Sequence, residues 1–121
     1  MNNLFFVCTH NICRSVMAQD VFARIGFETK SGGVLNNFIS ESDVDWADKI
    51  IVMEQFHKEM IVRIYPRAKE KIVVLGIPDT YCRGNPELGA NEFVVELIDR
   101  VQLLCPELSL EANIWARGVG K

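Results

Sequence analysis

A three-layer αβα fold, with a central parallel sheet of about four strands, is what this 121-residue sequence predicts. Leu4-Phe5-Phe6-Val7, Lys49-Ile50-Ile51-Val52-Met53 and Lys71-Ile72-Val73-Val74-Leu75 are short, nearly continuous apolar runs, the pattern of strands buried on both faces. Segments of helical periodicity lie between them. Proline and glycine stand where one element should stop and the next begin. Alternation of this kind implies a parallel sheet covered by helices on both sides.

The first strand is the run at 4–7. A helix opens near Arg14 and Ser15, carries Ala18, Phe22 and Ile25 at i, i+4 and i+7, and stops at Gly26. Residues 27–31 can form a second strand, ended by Gly32-Gly33. Ser40 or Ser42 can cap the next helix, which has Glu41, Asp43 and Asp45 at its start and runs through Trp46 and Ala47. The run at 49–53 reads as a central strand. Residues 55–65 read as a helix stopped by Pro66, residues 71–75 as a strand, and residues 78–84 as a loop. Pro86 starts a helix whose Phe93, Leu97 and Val101 share a face, ending near Cys105. Phe56, Tyr65, Phe93 and Trp46 fall on apolar faces and read as core, and His57 reads as a helix-surface histidine. Residues 106–121 form a poorly defined tail, with Trp115 folding back or marking a contact surface. The whole of residues 1–121 is expected to be one domain.

Composition narrows the classes. Apolar content of 49% and charged content of 24% suit a soluble globule. A net charge of −3 and a pI near 5.4 give no global attraction to nucleic acid or to an anionic membrane, so any phosphate affinity must be local. Neither a signal peptide nor a membrane span is visible, and four cysteines are too few and too unevenly spread for a secreted disulfide scaffold. The cytoplasm is the expected location. The oligomeric state is not legible.

Parallel sheets bind ligands at the carboxyl ends of their strands. At that end of the first strand the chain reads Cys8-Thr9-His10-Asn11-Ile12-Cys13-Arg14-Ser15. The N–H groups of a loop feeding a helix, and the positive end of that helix, converge on one point. A dianionic phosphate fits there, and Arg14 can take two of its oxygens in a fork. The same field favours a thiolate at Cys8. Cysteine, arginine and helix end together imply phosphoryl transfer through a phosphocysteine. Thr9, His10, Asn11, Ile12, Cys13 and Arg14 form the expected phosphate-binding loop, and no metal or organic cofactor is required. The blander reading of Cys8 is a small buried hydrophobe. Asn11 tolerates left-handed backbone and is expected to shape the loop. Cys8, His10, Cys13 and Cys82 offer four soft ligands, but Arg14 would repel a cation and the spacing is not that of a zinc knuckle.

The segment from Val7 to Ser15, with Met17-Ala18 following, resembles the N-terminal signature of the low-molecular-weight protein tyrosine phosphatases. A second family element, an aspartate shortly before a tyrosine in a late loop, appears as Pro78-Asp79-Thr80-Tyr81. The resemblance spans most of residues 3–105, and the chain, short for the family, also resembles a compact bacterial subgroup of predicted phosphatases. The sequence departs from the pattern at His10 (usually glycine), Val16 and Thr80 (usually proline). The resemblance implies Cys8 as nucleophile, Arg14 as anion clamp and Asp79 as general acid. It also implies a supporting Ser15 that donates to the sulfur, although Ser15 can equally cap the helix. Tyr81 either walls the pocket or packs beneath the loop. In the family pattern Cys13 is close enough to Cys8 for a protective disulfide; the alternative is a buried thiol. Cys82 can be a resolving thiol, and Cys105 reads as core. A phosphorylated protein, or a small phosphomonoester, is the implied substrate, with phosphotyrosine foremost. The rivals are an arsenate reductase using the same anion loop and a non-catalytic phosphate- or phosphoprotein-binding module.

Overall fold

The structure, a computed structural model, describes residues 3–78 and 86–110, with the side chains of residues 86–91 left aside. Its centre is the strand β1 (Asn3–Cys8), which pairs in parallel with β2 (Glu28–Gly33) on one side and β3 (Lys49–Val52) on the other. β4 (Ile72–Val74) lies outside β3, so the order is β2-β1-β3-β4 and every pair is parallel. The helices are α1 (Arg14–Ile25), α2 (Glu41–Trp46), α3 (Gln55–Ile64) and α4 (Pro86–Leu104). The expected architecture is the one observed.

Alternation along β1 assigns the two faces. Leu4, Phe6 and Cys8 point to one side, where they pack with Ala18, Phe22 and Ile25 of α1 and with Phe93, Leu97 and Val101 of α4. Phe5 and Val7 point to the other side, among Val44 of α2, Ala47 and Ile61 of α3. Phe6 and Phe22 bring their rings to 5.2 Å between centroids, tying α1 to the sheet. Burying a side chain of this size is worth about 1.5–3 kcal/mol.

Chain direction follows from these faces. Leaving β1, the chain crosses through α1 to β2; it then returns through α2, passing under β1, to β3. Right-handed crossovers in opposite directions require helices on opposite faces, as seen. The connections therefore part at β1, and a crevice opens at its carboxyl end beside β3, where such folds bind ligands.

Local signals fix the ends. Gly26, with φ 121°, closes α1 by returning its N–H to the carbonyls of Phe22 and Ala23. Ser40, one of the two serines expected to cap, accepts from Asp43 N while the Asp43 side chain accepts from Ser40 N. α3 ends at Ile64 and Pro66 opens a 3-10 helix, Pro66–Lys71. One boundary differs from expectation: β2 continues through Gly32 and Gly33, because Gly33 pairs with Cys8. Among the described residues no helix is long and apolar enough to cross a membrane. Cys105 is buried as expected; Trp115 lies outside the described residues.

Candidate active site

The loop at 9–13 leaves the buried end of β1 and enters α1 directly. Cys8 is buried, and its Sγ lies 3.0 Å from Ser15 Oγ. Cys13, not Ser15, occupies the cap position of α1, and it makes no side-chain capping bond. Of the two readings of Ser15, contact with the sulfur is therefore the one observed. Asn11 takes the left-handed conformation, φ 56°, and its Nδ2 donates to Ser15 Oγ at 2.9 Å and to Ser31 Oγ at 3.0 Å. Ser15 Oγ already accepts from Asn11, so its own hydrogen is available to the sulfur. Ser31 passes its hydrogen to Gln19 Oε1 at 2.6 Å, and Asn37 Nδ2 donates to Asn11 Oδ1 at 3.1 Å. Asn11 thus shapes the loop, as the sequence suggested.

The end of β2 supports the loop from beneath. Leu35 N donates to Thr9 O, and Val34 N to Cys8 O and Thr9 O. A Cβ on Gly33 would stand 2.8 Å from both Asn11 N and Thr9 O, so only glycine permits this approach.

Arg14 is 2% exposed although it carries a charge. Its Nη1 donates to Glu54 Oε2 at 2.7 Å and to Ile77 O at 2.7 Å, and its Nη2 donates to Thr9 Oγ1 at 3.3 Å. Burying a guanidinium is tolerable when acceptors and a counter-charge surround it. Segments following β1, β3 and β4 meet on this one side chain.

Glu54 and Ile77 O were not singled out from the sequence, and Thr9 was named for the loop but not for its hydroxyl. The available signal was position, since Glu54 follows β3 at the same carboxyl edge as Cys8. His57 is a correction. It is fully buried, not a surface histidine, with Nδ1 2.9 Å from Glu54 N and Nε2 3.0 Å from Thr9 Oγ1. Phe56 is a second correction: it is exposed, and its ring lies 4.2 Å from that of His57. The phase of α3 is set by His57 turning back to the Glu54 amide, which carries Phe56 outward.

The expected Cys8–Cys13 disulfide is not the pairing present. Cys8 is a free thiol directed at Ser15, whereas Cys13 is disulfide-bonded. Thr9, Asn11, Ile12 and Cys13 lie on the loop as expected, and His10 is exposed there. Asp79, Thr80, Tyr81 and Cys82 lie outside the described residues. Ile77, two positions before Asp79, is nonetheless in contact with Arg14. Among the described residues no group of three or more His, Cys, Asp or Glu side chains converges on a metal-sized site.

No family model matches the chain. It is 30% identical to a protein-arginine-phosphatase of Geobacillus stearothermophilus, over 60% of this chain and 68% of that protein. The solved YwlE arginine phosphatase from the same organism aligns with a TM-score of 0.74 and 27% identity, over 92% of this chain and 95% of its own. SP-PTP, a low molecular weight protein tyrosine phosphatase from Streptococcus pyogenes, aligns with a TM-score of 0.71 and 21% identity, over 92% and 98%. The chain belongs to the low-molecular-weight protein tyrosine phosphatase family and is a cysteine-dependent phosphatase.

Proposed function

We propose that this phosphatase hydrolyses phosphotyrosine in proteins through a phosphocysteine on Cys8. In the first step Cys8 Sγ attacks phosphorus, the S–P bond forms, and the P–O bond to the leaving group breaks. The N–H groups of residues 9–14 and the Arg14 guanidinium hold the equatorial oxygens as charge shifts onto them. Asp79 gives its proton to the leaving oxygen. The resulting carboxylate then takes a proton from water, which attacks phosphorus and releases Cys8 as thiolate. Ser15 eases that departure by donating to the sulfur. The observation that carries the reading is the 3.0 Å contact between Cys8 Sγ and Ser15 Oγ at the mouth of a helix whose first residue is the buried Arg14.

The preference for an aromatic leaving group rests on the loop's rim. Ile12 is 74% exposed and Leu35, whose amide bonds the loop, is 64% exposed. Apolar side chains there can cover a phenyl ring, but they offer no acceptor to a guanidinium. The second reading, phosphoarginine hydrolysis, is favoured by the names of the relatives at 30% and 27% identity.

Two measurements test this. Rapid-quench turnover followed by peptide mapping is expected to find phosphate on Cys8, and phosphate trapped on another residue refutes the mechanism. Matched phosphotyrosine and phosphoarginine peptides are expected to differ in kcat/KM by roughly tenfold or more in favour of the former. The reverse order makes the chain an arginine phosphatase.

A further inference from the structure

The phosphoryl-transfer steps make no use of His57, although it is buried at the site. A backbone N–H only donates, so His57 Nδ1, 2.9 Å from Glu54 N, accepts. The neutral ring then carries its proton on Nε2, which donates to Thr9 Oγ1 at 3.0 Å. Thr9 Oγ1 also accepts from Arg14 Nη2 at 3.3 Å. Two donors occupy both lone pairs of that hydroxyl and fix its rotamer. One imidazole thus holds the start of the Glu54 segment with one nitrogen and the Thr9 hydroxyl with the other. Glu54 and Thr9 are both groups that grip the Arg14 guanidinium, one at each end nitrogen.

We propose that His57, neutral and protonated on Nε2, is a positioning residue that sets the plane of the Arg14 guanidinium through Thr9 and Glu54. This rests on the reading in which Arg14 holds the phosphoryl oxygens. A planar fork is only useful when its plane matches the oxygens it takes, and matching matters most in the transition state. A tilted fork still attracts an anion, so misplacement lowers kcat more than it raises KM. An imidazolium cannot take this place, because Nδ1–H would then face Glu54 N–H.

Two amide substitutions separate the ring's two bonds. In His57→Asn the side-chain oxygen falls near the Nδ1 position and can still accept from Glu54 N, but nothing reaches Thr9. In His57→Gln the amide nitrogen falls near the Nε2 position and can donate to Thr9. With p-nitrophenyl phosphate as probe, His57→Asn is expected to lower kcat roughly 10- to 100-fold with KM changed by less than about threefold. His57→Gln is expected to recover most of that loss. Thr9→Val should reproduce the His57→Asn loss, Thr9→Ser should recover it, and the pair Thr9→Val with His57→Asn should lose no more than the larger single change.

Parental kcat in His57→Asn, or additive losses in the pair, overturns the proposal. Should His57→Asn fail to fold, the two Thr9 variants decide alone, and equal kcat in Thr9→Val and Thr9→Ser overturns it. Turnover retained by Cys8→Ser would instead remove the phosphocysteine reading, which separates that failure from this one.

Discussion

The two edges of the sheet handle charge in opposite ways. At the carboxyl edge Arg14 is nearly inaccessible, and Glu54, Ile77 O and Thr9 Oγ1 meet it from three different segments. At the amino edge, where β3 begins, Lys49 pairs with Glu107 on the surface, their side chains 25% and 54% exposed. That hydrogen bond is the main reason the Lys49 pKa is raised and the Glu107 pKa lowered. Water screens the amino-edge pair, and its loss would change little. At the carboxyl edge water reaches Glu54 but not the Arg14 guanidinium, so the buried cation depends on its acceptors and Glu54 cannot be removed cheaply. Opposite charges at hydrogen-bond distance occur at both edges; only burial distinguishes a positioning device from a surface contact.

The contrast can be broken most severely at Arg14. Arg14→Lys keeps the charge beside Glu54 but gives up the planar grip, and kcat is expected to fall by about 10²–10³ while the fold survives. Steady-state kinetics on an aryl phosphate would check it, and a rate within about twofold of the parent would show that the fork is unnecessary.

A smaller effect, on stability, is expected from Glu54→Ala, which strands the Arg14 guanidinium. Fully buried pairs lose about 3–5 kcal/mol in this way; Glu54 is 30% exposed, so roughly 2–3 kcal/mol is expected here. Urea unfolding reads that loss, and a change below about 0.5 kcal/mol would place this pair in the same class as the amino-edge one.

Lys49→Met should have the least effect, within about 1 kcal/mol and shrinking further in high salt. The sign with pH follows from the two shifts. The lowered Glu107 contributes above its unfolded value, about 4.3, and that contribution is lost as pH falls through the folded value. The raised Lys49 contributes below its unfolded value, about 10.4, and that contribution is lost as pH rises through the folded one. Parent and variant should therefore differ by a small constant near neutrality and converge at both extremes. A difference that persists once Glu107 is fully protonated would assign the effect to packing by the lysine stem.

The same contrast explains what the sequence made legible. Strands β1, β3 and β4 were readable as continuous apolar runs, and α1 and α4 from their period and their glycine or proline punctuation. Cys8, Asn11, Arg14 and Ser15 were readable because one short loop holds them, and their chemistry is local. Glu54 and His57 were not, because they join the site across 40 and 48 residues of chain. The turn that buries His57 is a capping arrangement with glutamate and histidine in place of the usual serine or threonine and glutamate, so its signature was absent. Helical spacing alone then put Phe56 inward and His57 outward, the reverse of what the reciprocal bond to Glu54 enforces.

Since Arg14 gathers groups from behind β1, β3 and β4, an anion held there binds the assembled chain and has no comparable site on the unfolded one. On the proposed mechanism inorganic phosphate is a ligand of the native state as well as the product. By mass action it should stabilise by RT ln(1 + [L]/Kd), about 2.7 kcal/mol at a hundredfold excess over Kd. A melting temperature recorded in phosphate buffer will exceed one recorded in a zwitterionic buffer, and its climb with phosphate concentration measures the product's affinity without a single turnover.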